Sequence, residues 1–163
     1  MSERAHPILY VIATLLAVNL LLTIWLVALP RPNGSPAASK ALPSGLTSLE
    51  RDRLFAQAQE RYNADDGAGI HALFDEFARS QIDEEEVVNQ VHQLNVALGA
   101  IQSGQYSHYE FAGSQGERDF FRLLFNVKLA SPQFPTGRAT LTITSIGDHY
   151  GLVGFHLHAG AIP

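Results

Sequence analysis

The chain begins with an unbroken apolar run and then changes to periodic patterns. Residues 8–29, ILYVIATLLAVNLLLTIWLVAL, carry no formal charge over 22 positions. As a helix rising about 1.5 Å per residue this run is roughly 33 Å long, enough to cross a hydrocarbon core of about 30 Å. Beyond it the apolar positions recur with helical spacing. Thr47 and Glu50 stand at capping-box distance ahead of Leu54, Phe55, Ala58 and Tyr62, which predicts a helix over 48–63. The turn residues Asn63-Ala64-Asp65-Asp66-Gly67 end it. Ile70, Leu73, Phe74 and Phe77 then fall at i, i+3, i+4, i+7 and predict a second helix. A third opens at Asp83, with acid through its first turn and the stripe Val87, Val91, Leu94, Leu98, and Gly99 is its stop.

After Gly99 the period drops from 3.6 to 2. YSHYEFAG (106–113) reads as a first strand, and Gly113 to Gly116 turns the chain. In 120–130, Phe121, Leu123, Phe125, Val127 and Leu129 share one face, and Arg122, Leu124, Asn126 and Lys128 the other. In 138–146, Ala139, Leu141 and Ile143 oppose Thr140, Thr142 and Thr144. Gly147-Asp148 signals a tight hairpin, and the last strand places Val153, Phe155 and Leu157 inward with His156 and His158 outward. Helices followed by an antiparallel meander give an α+β domain, three helices on a sheet of about four strands, behind an N-terminal transmembrane helix.

Composition divides the chain. Residues 1–7 form a short tail, 8–29 the membrane helix, 30–46 a Pro/Ser/Gly/Ala linker and 47–163 the α+β domain. The apolar run is longer than the apolar region of a secretory signal, so it reads as an uncleaved signal anchor. Ser39-Lys40-Ala41 has the shape of a cleavage site but lies ten residues past the run. The expected topology is single-pass in the cell (inner) membrane, with the domain outside the cytoplasm. Within the run, Asn19 is costly in lipid unless partnered, and Ala13 and Ala17 form a small-x-x-x-small pair. Both suit association with another membrane helix, and a plain tether is the alternative.

Residues 47–163 hold eight Lys/Arg against fifteen Asp/Glu, and no basic run stands out, so nucleic acid is not an expected partner. There is no cysteine, which excludes disulfides, thiolate metal sites and thiol nucleophiles. P-loop, dinucleotide and nucleophile-elbow fingerprints are also missing, and no cofactor is expected. The acid at 83–86 is explained by the positive end of a helix. His156 and His158 project from one face and are the candidate metal ligands, but a site needs a third. His149 lies about seven residues away, over 20 Å along a strand. His108 on the first strand serves only if the two strands pair.

The stretch YNADDGAGIHALFDEFAR (62–79), the third helix ending in LGAIQS (98–103) and the strands that follow resemble the nuclear transport factor 2-like superfamily, also called ketosteroid-isomerase-like or cystatin-like. The resemblance covers about residues 47–160. It implies a cone of helices wrapped by a curved antiparallel sheet, with a ligand pocket between the layers that Tyr62, Phe74, Phe77, Tyr109 and Phe125 would line. An enzyme of this kind would draw on His71 and Asp75, an i, i+4 pair on one helix. Fold alone licenses no chemistry. The sequence therefore points to a membrane-anchored binding or accessory domain with a protein partner or a second copy of itself. The alternatives are a small ketosteroid-isomerase-like enzyme and a histidine-based metal sensor.

Overall fold

The computed structural model of the protein describes residues 40–160. The apolar run with Ala13, Ala17 and Asn19 lies outside the described residues, as does most of the expected linker. Among the described residues, no helix is long and apolar enough to cross a membrane.

Helix α1 (Ser48–Asn63) forms where the capping spacing places it. The Thr47 hydroxyl accepts the Glu50 N–H at 3.3 Å, and Phe55, Ala58 and Tyr62 are buried. The reciprocal half of the capping box does not form, because the Glu50 carboxylate accepts from Arg53 and from the Tyr150 hydroxyl. Asp65 takes the left-handed conformation at φ 55°, which aspartate tolerates better than most residues. Asp66 then caps helix α2 (Gly67–Leu73), accepting the Gly69 N–H at 2.8 Å.

The expected second helix does not run through. Its stripe at 70–77 is cut at Phe74 and Asp75, which are extended, and helix α3 (Glu76–Arg79) starts afresh with Asp75 as its cap. The reason is a distant partner. Phe74 bridges Leu152 in parallel, and the Asp75 N–H donates to the Leu152 carbonyl at 2.7 Å. Helical periodicity reports which side chains are buried, and it cannot report a backbone partner 78 positions away. Helix α4 (Glu84–Leu98) matches its expected cap, stripe and stop. Asp83 accepts the Glu85 N–H, Val87, Val91 and Leu98 are buried, and Gly99 at φ 67° ends it.

The sheet is a meander in the order β1-β2-β3-β4, with every neighbouring pair antiparallel. Strand β1 (Ile101–Gln115) begins earlier than expected, because LGAIQS crosses from helix into strand. It carries three register shifts along its pairing with β2 (Arg118–Leu129). Strands β3 (Thr136–Ile146) and β4 (His149–Ala159) join through Gly147-Asp148, with Gly147 at φ 59°. Leu123, Leu141 and Ile143 are fully buried on the helix-facing side, flanked by Phe121, Phe125 and Ala139. A bulge opposite Thr142 and Ile143 makes Val153 the extra residue, so Leu152 takes the buried place beside Phe155 and Leu157, and Val153, expected inward, is only partly buried against the core.

The last part of the stretch expected to be linker packs on the domain. Leu46 and Pro43 are buried and Leu42 touches the core. Ser44 donates to Asp148 at 2.6 Å, and Lys40 pairs with Asp119.

Candidate functional site

Two faces of the sheet are open to functional interpretation. On the helix-facing side, α1 and the start of β1 are clamped together by side chains. The Asn63 carboxamide accepts the Ile101 N–H at 2.8 Å and donates to the Ile101 carbonyl at 2.9 Å, and Gln59 donates to the same carbonyl. Asn95 of α4 donates to the Tyr62 carbonyl at 2.7 Å. The expected pocket residues sit around this clamp. Tyr62 has no exposed surface, its hydroxyl donates to the Gly99 carbonyl at 3.1 Å, and its ring lies 5.8 Å from that of Phe155. Burial drives its phenol pKa well above the ordinary value, with the Asp65 charge adding to the effect. Phe125 stacks on Phe55 with centroids 4.3 Å apart, and Phe74 is buried. Tyr109 packs edge-on against Phe121 and is half-buried. Phe77 is also half-buried, but it lies under the Arg118 guanidinium, 4.7 Å from its ring centre. Tyr62, Phe74 and Phe125 belong to the packed interior, Tyr109 lies against Phe121, and Phe77 lies beside Arg118 at the start of β2.

The expected His71–Asp75 pair is corrected by the break at Phe74, which takes the two residues off a common helix. Each is held by other groups. His71 Nε2 meets the Ile82 carbonyl at 2.9 Å and Nδ1 lies 3.7 Å from Glu84. Asp75 accepts the Ala78 N–H at 2.8 Å as a cap, and its other oxygen lies 3.9 Å from Arg118. A histidine–aspartate contact does form elsewhere, His92 Nδ1 to Asp65 at 2.7 Å, and it is exposed on the outside of the helices.

The far face of the sheet carries the histidine pair. Cross-strand partners share a face, so the register reads directly as a map. One row is His108, Leu124, Thr140 and His156, and the next is Gln105, Asn126, Arg138 and His158. A third sets Glu110 beside Arg122 and Thr142, with the carboxylate 3.9 Å from the guanidinium. His108 is thus in line with His156 but three strand spacings away, about 14 Å, and cannot share a metal with it. Among the described residues, no group of three or more His, Cys, Asp or Glu is placed to hold one.

The two histidines also differ from one another. His158 is exposed, whereas His156 is largely enclosed, contrary to the wet position expected for both. Burial, then the neighbouring His158 and Arg122, push the His156 pKa down to about 4, so its ring is neutral at neutral pH. Sequence alternation shows Arg122, Asn126 and Lys128 on this face. Arg138 joins them, two residues ahead of Thr140 in the same alternation. The Arg138 Nε, the Asn126 Oδ1 and the Thr144 hydroxyl are buried without a hydrogen-bond partner.

No family model matches the sequence, and no curated protein does. Solved structures similar to this chain include Aln2 from a Streptomyces species, at TM-score 0.48 and 16% identity over 73% of this chain and 94% of that one. A protein from Novosphingobium aromaticivorans assigned as an aromatic ring hydroxylase matches at TM-score 0.44 and 9% identity, over 71% and 89% of the two chains. Bd1075 from Bdellovibrio bacteriovorus matches at TM-score 0.40 and 12% identity, over 69% of this chain and 41% of its own.

Proposed function

We propose that this protein is a membrane-anchored accessory subunit whose nuclear transport factor 2-like domain binds a protein partner, with residues 8–29 as its anchor. The observation that carries the reading is how the domain uses its polar groups between helices and sheet. The Tyr62 hydroxyl is closed on the Gly99 carbonyl, Asn63 is closed on both polar groups of Ile101, and Asp75 caps a helix. His71 is held by the Ile82 carbonyl. Groups satisfied in this way stiffen a scaffold; none of the four is left aimed at a common point where a substrate atom could sit. The order of elements, helices first and then an antiparallel meander, is the one the superfamily resemblance implies.

The test is native mass spectrometry of the full-length protein released gently from its own membrane. A second polypeptide in fixed ratio supports the accessory reading. A bare chain that carries a small organic mass overturns it in favour of a ligand-binding or enzymatic domain. A bound metal ion, lost when His156 and His158 are both replaced by alanine, would favour the sensor instead.

A further inference from the structure

The sheet face turned away from the helices differs in charge from the rest of the domain. Of the eight Lys/Arg in residues 47–163, four lie on its strands, Arg118, Arg122, Lys128 and Arg138, against two strand carboxylates, Glu110 and Asp119; Arg118 is 3.9 Å from Asp75. Glu110 is already beside Arg122. The chain has only two lysines, Lys40 and Lys128. Lys40 is paired with Asp119, while Lys128 is exposed and meets no carboxylate among the described residues. Asn126, Arg138 and His158 stand side by side on three successive strands, with Lys128 next along β2 on the same side. The Arg138 Nε and the Asn126 Oδ1 are a buried donor and a buried acceptor with no partner.

The geometry points to a docking surface at Asn126, Lys128, Arg138 and His158 for a carboxylate-bearing segment of a partner protein. The inference rests on the accessory reading above and names the surface and its chemistry. A guanidinium presents a planar fork that matches a carboxylate, and a neighbouring ammonium adds a point charge. The positive field is already felt on this face, where Arg122 and His158 add to burial in keeping His156 neutral. A second copy of the chain is a poor occupant. Two-fold pairing sets a face against itself and would bring these cations together.

Zero-length carbodiimide cross-linking tests this on the full-length protein in its own membrane, with mapping by mass spectrometry. The Lys40–Asp119 link within one chain is the control for reagent and fold. The expected result is a Lys128 link to an aspartate or glutamate of another polypeptide. That link falls by about tenfold in Arg138→Glu, while the Lys40–Asp119 link is kept. Lys128→Arg removes the link but leaves the partner co-purifying. Three results overturn the inference: Lys128 stays unlinked while Lys40–Asp119 forms, the Lys128 link is indifferent to Arg138→Glu, or isotope mixing shows only a second copy of this chain. Retention on phosphatidylglycerol vesicles through Arg138, with no polypeptide linked, would assign the face to lipid and also overturn it. A partner that co-purifies with Lys128 unlinked leaves the accessory reading standing and removes only this surface; a chain with no co-purifying polypeptide removes both.

Discussion

Replacing Asn63 by alanine tests whether the clamp between α1 and β1 holds the two layers together. Asn63 makes two bonds to Ile101, at 2.8 and 2.9 Å, and Ile101 is 1% exposed. Alanine removes both. The Ile101 carbonyl keeps the Gln59 amide, but its N–H is left buried and unpaired. A net hydrogen bond is worth about 1 kcal/mol, and a stranded buried donor costs about 1–3 kcal/mol, so the expected loss is about 2–4 kcal/mol. For a domain of this size that is roughly 8–16 °C in Tm. Asn63→Asp separates the two bonds, because it keeps an acceptor for the N–H and sets an oxygen against the carbonyl. It should fall between wild type and alanine. Urea unfolding followed by tyrosine fluorescence gives the stability, and hydrogen exchange at the Ile101 amide gives the local effect. If Asn63→Ala unfolds within about 0.5 kcal/mol of wild type and Ile101 exchanges no faster, the clamp does not hold the layers and the reasoning fails.

Three further outcomes follow from the geometry. Asp75→Ala should cost about 1 kcal/mol through loss of the α3 cap, and Asp75→Ser should recover most of it, as read by urea midpoints. The Gly69 N–H and then the Arg61 side chain hold the Asp66 carboxyl below its usual pKa. Its contribution to stability is therefore complete above about pH 4 and is lost as pH falls through the folded value; Asp66→Asn should flatten that part of an acid titration. His156 is held neutral with a pKa of about 4, so the unfolded chain binds the extra proton between there and the ordinary value of about 6.5. Stability should rise with pH across that window and level off above it, and His156→Gln should lose that slope in unfolding midpoints at about pH 4.5, 5.5 and 7.

Where structure is set locally, the sequence shows it. Caps, stripe and stop of α1 and α4 depend on residues within a few positions of one another, and both helices lie where the pattern puts them. The alternation in β2 and β3 is equally direct, since each inner residue faces one continuous core. The misreadings share a cause. Phe74 leaves the helix for a partner near the C-terminus, Val153 is displaced by a bulge, and the strand from Ile101 is anchored by side chains of α1. Each depends on a residue far along the chain, and a period of 3.6 or 2 carries no trace of it. The candidate chemistry follows the same division. Alternation puts His156 and His158 on one face, but only the register shows that Arg138 stands between His158 and Asn126, or that His108 is out of reach.

The bridge between Phe74 and Leu152 also bears on how the protein is made. A ribosome extends a chain at about 5–20 residues per second, so the 78 positions between the two take about 4–16 s to appear. Throughout that interval α1 and α2 exist without the strand that closes over them. Phe55 meets its stacking partner Phe125 partway through, but Phe74 must wait for Leu152. The domain cannot mature from its beginning towards its end; it completes only when its last strand arrives. A nascent chain arrested before residue 150 should be sensitive to proteases and dependent on chaperones, whereas one arrested with residue 160 clear of the exit tunnel should resist digestion.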